Sequence, residues 1–228
     1  VGSEMCIRDR SAFFFACMNV SVRLAGDLPS VQKSFFRNLV AAFFAAIILI
    51  KNHTAPKVEK TQWGSLFLRC AFGTLGILCN FYAIDHLLVA DASILNKLSP
   101  FFAIIFSFLL LKEKIKPAQA MCVILAFVGC LFVVKPGFEN AHLIPALIGV
   151  CGGLGAGIAY TMVRKMGTHG VKGPVIVFYF SCFSCIIVIP WIVFHYQPMS
   201  LRQLLTLLLA GLFAAGGQFT ITAAYTYA

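Results

Sequence analysis

The stretch "ADASILNKLSPFFAIIFSFLLLKEK", residues 90–114, decides how the chain folds. It is almost wholly apolar from Leu98 to Leu111, yet Lys97 lies near its start, three residues before Pro100. A membrane-spanning helix needs about 20 predominantly apolar residues, and this stretch is long enough. An ammonium group at bilayer depth costs at least about 2.5–3.5 kcal/mol on insertion scales. Lys97 therefore needs a polar cavity or a route to the membrane surface.

The composition of the whole chain places it in a membrane. Hydrophobic residues make up 60% of its 228 residues and charged residues only 11%. Soluble domains average about 45–50% apolar and about 25% charged residues, so this chain cannot present a polar surface to water on all sides. Its net charge of +10 is distributed in short basic clusters between apolar runs. We predict an all-α, polytopic membrane helix bundle that contacts the lipid bilayer and binds no nucleic acid.

Eight apolar segments are long enough, wholly or in part, to span a membrane. The first segment is short by about one helical turn. The ten residues before it, "VGSEMCIRDR", are polar and resemble translated sequencing-adapter sequence, so we interpret residues 1–10 as artefactual. The predicted segments are approximately 11–26, 31–50, 63–84, 90–111, 117–135, 143–163, 174–194 and 204–228.

The distribution of Lys and Arg among the loops predicts the orientation of the bundle. The connections 51–62, 112–117 and 164–173 hold nine basic residues together, whereas the alternate connections hold three or four. Basic loops stay on the cytoplasmic side of a membrane. We therefore predict a multi-pass protein of the cell membrane whose N-terminus is cytoplasmic.

Two pairs of short segments indicate an internal repeat. "VRLAG" at 22–26 parallels "VRKMG" at 163–167, an offset of 141. "GTLGILCNF" at 73–81 parallels "GLFAAGGQF" at 211–219, an offset of 138. The paired segments lie five helices apart, and an odd number reverses the direction of the second copy. Inverted repeats are common in secondary transporters, whose substrate sites lie near the membrane midplane between the halves.

Two copies of five helices divide the chain near residue 137. The first copy would occupy residues 11–137, and the second, residues 138–228, would hold only three of its helices. About eight of ten helices would then be present, so we interpret the chain as a fragment.

Four sequence features resemble the drug/metabolite transporter superfamily, specifically its ten-helix EamA type, from Ser11 onward. The most specific is the spacing of Pro100 and Glu113 within "LSPFFAIIFSFLLLKEK". The resemblance implies a carrier of small molecules that is driven by a proton or substrate gradient, with a pocket lined by both repeats. It does not fix the substrate. The other three features are "FFRNLVAAFF" at 35–44, "NFYAIDHLLVADAS" at 80–93 and "GGLGAGIAYTMVRK" at 152–165.

Polar residues inside the predicted spans are candidates for a substrate pathway. Asn19 aligns with Tyr160 across the repeat, and Asn80 aligns with Gln218, as expected for a pocket between two halves. Interhelical hydrogen bonds, worth about 0.6 kcal/mol each on average, would also explain such residues, and the sequence leaves both interpretations open. The candidates are Asn19, Arg37, Asn80, Asn96, Lys97, Tyr160, Gln218, Thr222 and Tyr225.

Several charged residues near or inside the spans allow two interpretations. Lys97 and Arg37 would favour anionic or zwitterionic metabolites, but Lys97 could instead extend to the outer surface and Arg37 could fix helix packing. For Arg69 we favour contact with the phosphate-rich inner leaflet over a place in a pocket. We predict Lys33 at the membrane interface and Asp85 as a solvated residue between two spans.

Small residues and one proline are predicted to control helix packing and movement. Gly149, Gly153 and Gly157 recur at a spacing of four, which gives one smooth helix face that lets a neighbour approach and slide. Pro100 frees backbone groups inside a span, and these groups need partners in the protein or in a cavity.

The scatter of reactive side chains argues against an enzyme, a metal site or a cofactor. The five histidines lie singly in loops or at span ends, and the nine cysteines have no framework spacing. We predict a transporter that moves small metabolites or drugs by alternating access at a midplane pocket. A channel or an accessory membrane subunit is the alternative. The sequence leaves open the coupling ion, the direction of transport and whether two copies form a homodimer.

Overall fold

Helices form the whole described fold, which confirms the predicted all-α membrane helix bundle. The computed structural model describes residues 2–112, 114, 116–134 and 143–226, and it contains no strand within those ranges. The predicted boundary between the two repeats and the side chain of Glu113 lie outside them. The helices are α1 (Gly2–Leu24), α2 (Ser30–Lys51), α3 (Trp63–His86), α4 (Val89–Asn96), α5 (Ser99–Leu111), α6 (Pro117–Val134), α7 (Leu143–Thr168), α8 (Gly173–His195) and α9 (Leu201–Thr226).

Over the described residues, six helical segments are long and apolar enough to cross a membrane. One of them, Val89–Leu111, consists of α4 and α5 together. The predicted first and fifth spans form helices as well. In the described part of α6, the segment Pro117–Gly129 is a shorter apolar helix. Residues 2–10 continue α1 as a helix, which does not test the prediction that they are artefactual.

Hydrogen bonds tie several helix ends together at one face of the bundle, which we call the Asp85 end. Arg23, at the end of α1, donates to the carbonyl oxygens of Ile84 and Asp85 at distances of 2.8 and 2.7 Å. Gln203, at the start of α9, donates to the carbonyl oxygen of Ala25 at 3.2 Å. The ends of α1 and α3 and the start of α9 therefore meet at this face.

Fewer contacts join the connections at the opposite face, which we call the Arg164 end because Arg164 lies near the end of α7. Lys172 Nζ donates to Thr54 Oγ1 at 3.3 Å, and Tyr179 Oη donates to the carbonyl oxygen of Pro56 at 2.8 Å. These bonds join the α2–α3 connection to the start of α8 and lie at the exposed surface.

Two helix pairs pack most extensively, α3 with α7 and α1 with α9. Glycines bring both pairs close together. A Cβ atom at Gly155 of α7 would lie 2.8 Å from the carbonyl oxygen of Phe72, and one at Gly217 of α9 would lie 3.0 Å from the ring of Phe15. Since real Cβ atoms essentially never approach that closely, only glycine permits the α3–α7 contact at this point.

A second face of α7 packs against α4 and α5 and carries the three glycines that the sequence analysis identified. A Cβ atom at Gly149 would lie 3.0 Å from Leu95 Cδ1, and one at Gly153 would lie 2.9 Å from the Leu95 carbonyl oxygen. One at Gly157 would lie 3.0 Å from the carbonyl oxygen of Ser99. The helix α7 therefore touches the point where α4 ends and α5 begins.

Lys97 and Leu98 form the turn that separates α4 from α5. The N–H of Leu98 donates to the carbonyl oxygen of Leu95 at 3.2 Å, which is a three-residue bond in place of the four-residue bond of an α-helix. Pro100, in the first turn of α5, has no N–H to donate to the carbonyl oxygen of Asn96. The break thus follows from the proline that the sequence places inside the span.

Replacing Gly157 with alanine tests the close packing of α5 and α7. The added methyl group would meet the Phe102 side chain and the Ser99 carbonyl oxygen, so we expect a loss of about 1–3 kcal/mol in the free energy of unfolding. A lower midpoint of thermal unfolding, followed by circular dichroism in detergent, would report this loss. The control is Gly64→Ala in α3, where a Cβ atom meets nothing within 4 Å. Equal midpoints for the two variants would contradict the close contact.

Candidate functional site

Two arginine side chains from different helices meet the same aromatic ring inside the bundle. Arg37 of α2 is only 3% exposed, and Arg69 of α3 is 2% exposed. Their Cζ atoms lie 6.0 and 4.0 Å from the centroid of the Phe180 ring in α8. A cation over an aromatic face is attracted to the electron-rich ring, so Phe180 holds both guanidinium groups in one region.

The hydrogen bonding of these two guanidinium groups is incomplete. Arg37 Nη1 donates to Asn38 Oδ1 at 2.6 Å, and Arg37 Nη2 approaches Gln218 Oε1 at 3.5 Å. The Nε atom of Arg37 and the Nε and Nη2 atoms of Arg69 are buried without a hydrogen-bond partner. The ion pair found in the described part of the chain joins Lys33 to Asp85 and involves neither arginine. Buried N–H donors around two positive charges form the arrangement that an anion binds.

The arginines line a central cavity of about 50 Å³. Asn80 Oδ1, a further polar atom of its lining residues, is buried without a partner. Gln218 Nε2 donates to Thr222 Oγ1 at 3.1 Å, which links the cavity wall to the next turn of α9. The polar lining residues are Arg37, Arg69, Asn80, Asn96, Tyr160 and Gln218.

A second cavity of about 210 Å³, the Lys97 cavity, adjoins the central one and shares Phe15, Asn96 and Tyr160 with it. Asn19 Nδ2 of α1 donates to Ser93 Oγ of α4 at 3.0 Å across its wall. This hydrogen bond joins the first helix to the broken span. The remaining residues that define this cavity are Ser11, Ala12, Ala16, Asn19, Ser93, Lys97, Ser99, Pro100, Ile221 and Tyr225.

A third cavity of about 190 Å³ continues toward the Arg164 end and is lined in part by Gln119, Thr161 and Arg164. It shares Pro100 and Tyr225 with the Lys97 cavity. The rings of Tyr160 and Tyr225 stack with centroids 4.9 Å apart and planes inclined by 8°. The cavities therefore form a series from the arginines to the Arg164 end, with the two tyrosines beside their junctions.

A buried ion pair closes the opposite, Asp85 end. Lys33 Nζ lies 2.6 Å from Asp85 Oδ1, and the lysine side chain is 1% exposed. Ser30 Oγ donates to the other carboxylate oxygen of Asp85 at 2.9 Å. Asp85 is therefore an ion-pair partner and not the predicted solvated residue, because the start of α2 packs against the end of α3. The predicted interfacial position of Lys33 stays a prediction.

A reciprocal pair of hydrogen bonds strengthens the same closure. Gln32 Nε2 donates to the carbonyl oxygen of Gln197 at 2.9 Å, and the N–H of Gln197 donates to Gln32 Oε1 at 3.1 Å. The start of α2 is thus tied to the α8–α9 connection as well as to α3.

Arg69 is a residue of the cavity wall, which corrects the preference for contact with the inner leaflet. Its long side chain could reach either environment from its position in α3. The signal in the sequence is Gly73, four residues later on the same helix face. A Cβ atom at Gly73 would collide with Arg69 Nη1 and would lie 2.8 Å from the Phe180 ring. The missing side chain of Gly73 leaves the space that the guanidinium group occupies.

All nine predicted pathway residues contact this series of cavities or its walls. Thr222 is the member that lines no described cavity, but it accepts the hydrogen bond of Gln218. Among the described residues, no three His, Cys, Asp or Glu side chains lie close enough together to hold a metal ion.

Comparison with known proteins shows one family over much of the chain. Residues 10–135 match the EamA-like transporter family. The pseudopaline exporter CntI of Pseudomonas aeruginosa is 32% identical over 222 residues, which cover 95% of this chain and 76% of that protein. Human solute carrier family 35 member G1 is 27% identical over 229 residues, which cover 94% of this chain and 62% of that protein. The riboflavin transporter of Brucella anthropi is 27% identical over 161 residues, which cover 69% of this chain and 56% of that protein.

A solved structure shares the fold. One crystal structure matches with a TM-score of 0.73 and 13% sequence identity, and the match covers 99% of this chain and 79% of that one. At this identity the similarity establishes the arrangement of the helices and nothing about the solute.

Removing one partner of the buried ion pair should destabilise the Asp85 end. Asp85→Asn leaves the Lys33 ammonium group buried without a carboxylate. We expect a loss toward the lower end of about 3–5 kcal/mol in the free energy of unfolding, because the Asp85 side chain is 19% exposed. Denaturant titration in detergent micelles measures the change, with Asp27→Asn on the exposed α1–α2 connection as the control.

The double variant Lys33→Met/Asp85→Leu removes both charges and should be more stable than Asp85→Asn alone. The single variants Lys33→Met and Asp85→Leu complete the cycle. If their losses in the free energy of unfolding simply add in the double variant, the two side chains are not coupled and the assigned ion pair is wrong.

Proposed function

This chain belongs to the EamA-like transporter family, and we propose that its central cavity binds the acidic group of an anionic or zwitterionic small molecule during transport. The observation that carries the proposal is the pair of buried guanidinium groups, Arg37 and Arg69, whose partnerless N–H donors lie among the residues of one cavity. A buried cation without a partner is costly in free energy. A carboxylate or phosphate that accepts these hydrogen bonds would lower that cost.

The packing supports transport by alternating access between two inverted repeats. In the proposed repeat, α1 corresponds to α7, α2 to α8 and α3 to α9. This correspondence converts the pairing of α3 with α7 into the pairing of α9 with α1. These two are the most extensive helix pairings in the bundle. Individual contacts between helices also have a counterpart in the other copy. A Cβ atom at Gly73 would lie 2.8 Å from the Phe180 ring, and one at Gly211 would lie 2.7 Å from Val40 Cβ. Gly73 and Gly211 lie 138 residues apart, which is the predicted offset, and Val40 and Phe180 lie 140 residues apart.

The distribution of closures and cavities supports a carrier that opens at one end at a time. The Lys33–Asp85 pair and the Gln32–Gln197 pair join helices at the Asp85 end. The central, Lys97 and third cavities extend the other way, toward the Arg164 end, and a separate cavity of about 480 Å³ lined in part by Asp27 and Asp85 lies at the Asp85 end. In the proposed cycle, separation of Lys33 from Asp85 accompanies opening of the Asp85 end. Closer packing around Tyr160 and Tyr225 accompanies closure of the Arg164 end.

The multi-pass chain is proposed to lie in the cell membrane with the Arg164 end and the N-terminus in the cytoplasm. The connections at the Arg164 end carry most of the basic residues found in loops. Basic loops of this kind stay on the cytoplasmic side during insertion. The Asp85 end would then face outward.

Substituting either arginine tests the binding of the acidic group. For the purified protein, we expect glutamate and acetate to raise the midpoint of thermal unfolding, and ethylammonium, which has no acidic group, to have no such effect at equal ionic strength. Arg37→Gln and Arg69→Gln should each weaken glutamate binding on the order of tenfold or more, because hydrogen bonds to charged groups contribute about 1.5–3 kcal/mol.

The matched control is Arg202→Gln, which removes an exposed arginine near the start of α9. It should leave the binding curves unchanged. Equal effects of all three substitutions, or equal stabilisation by glutamate and ethylammonium, would contradict an anion site at the central cavity.

The orientation is tested with single cysteines at the two ends. Asp27→Cys and Thr168→Cys place thiols at exposed positions of the Asp85 and Arg164 ends in a background without the nine native cysteines. A membrane-impermeant maleimide added to intact cells should label only Asp27→Cys, and permeabilised cells should show labelling of both. Labelling of Thr168→Cys alone in intact cells would reverse the assigned orientation.

A further inference from the structure

The central cavity is too small to hold a whole metabolite. Its volume is about 50 Å³. One water molecule needs about 10–15 Å³ of such cavity volume, and complete ligand pockets occupy roughly 300–1,000 Å³. The arginines can therefore receive one acidic group, while the rest of the solute must extend elsewhere. The Lys97 cavity is the adjoining space, since it shares Phe15, Asn96 and Tyr160 with the central cavity.

The Lys97 cavity has a polar part suited to a second charged group. Lys97, an exposed residue, lines it, and its ammonium group forms no hydrogen bond or ion pair with the described residues. Asn19, which is 4% exposed, also lines it, and its Oδ1 atom is buried without a partner. The amide nitrogen of Asn19 is already committed to Ser93, so the free oxygen can accept a hydrogen bond from a hydroxyl or amino group.

Apolar side chains border both positively charged regions. Phe15 and Tyr160 border the central and the Lys97 cavities, and Pro100 and Ile221 line the Lys97 cavity but not the central one. An aliphatic or aromatic segment of a solute would pack against these side chains without leaving polar groups unpaired. The joined space is therefore bordered by two guanidinium groups, apolar side chains and one ammonium group.

We propose that the Lys97 cavity is a second anion-binding subsite and that the solute is an elongated organic acid with one acidic group at Arg37 and Arg69 and another at Lys97. This proposal rests on the proposed function, because it assumes that the central cavity holds the first acidic group. A monoanion would leave one positively charged region without a counter-ion. A dianion pairs with both.

Matched pairs of carboxylic acids test the proposal on the purified full chain. Pentanoate and glutarate, hexanoate and adipate, and heptanoate and pimelate each share a carbon chain and differ by one carboxylate. Affinities are measured by calorimetry in detergent at constant ionic strength. In at least one pair we expect the dicarboxylate to bind on the order of tenfold more tightly than the monocarboxylate.

Substitution of Lys97 separates the two subsites. Lys97→Gln should reduce the affinity for the preferred dicarboxylate to that of its monocarboxylate partner and leave the monocarboxylate affinity unchanged. The control is Lys51→Gln, which removes an exposed lysine at the end of α2 and should preserve the preference. Arg69→Gln should weaken the binding of both acids.

Three outcomes would overturn the second subsite. Monocarboxylates that bind through Arg69 without any preference for dicarboxylates would refute it and leave the proposed function intact. A dicarboxylate preference that persists in Lys97→Gln would also refute it, since another group would then hold the second carboxylate. If no acid of either series binds, both the second subsite and the anion site at the central cavity are wrong.

Discussion

Two guanidinium groups buried inside a membrane bundle are the constraint on which the rest of the structure depends. The hydrocarbon region offers no water to solvate them, so the protein must supply their surroundings. Phe180 supplies an aromatic face between helices α2 and α3, and Gly73 leaves room for Arg69 beside that ring. Polar residues of α3, α4, α7 and α9 complete the cavity wall. The same unsatisfied donors that make this region costly in an empty protein make it suited to an anion.

The closure of the Asp85 end depends on the same scarcity of water. Lys33 and Asp85 would each be costly in a bilayer, but together they form a short, enclosed ion pair at the edge of the bundle. The guanidinium groups have no such partner in the described part of the chain. The protein thus satisfies its charges at one end and leaves them available at the centre, and the cavities continue from that centre toward the Arg164 end.

The helices could be predicted from the sequence because membrane insertion depends on local composition. Runs of apolar residues place the spans, Pro100 marks the break between α4 and α5, and the glycines at 149, 153 and 157 form one face of α7. The pairing of charges could not be predicted in the same way. Lys33 and Asp85 lie 52 residues apart and meet only because α2 packs beside α3. The side chain of Arg69 is long enough to reach either a lipid headgroup or a cavity, and only the position of Phe180 decides between them.

The two glycine faces of α7 have a mechanical consequence. In the proposed repeat this helix opens the second copy, yet its backbone touches α3 on one side and the α4–α5 break on the other, all within the proposed first copy. Contacts between backbones leave no flexible side chains to absorb a displacement, so α7 should travel with the helices it touches. By the same correspondence, α1 should travel with α9. The moving parts of a rocking carrier would therefore be interleaved, each composed of helices from both repeats, and the hinge would lie at the loops that cross from one moving part to the other.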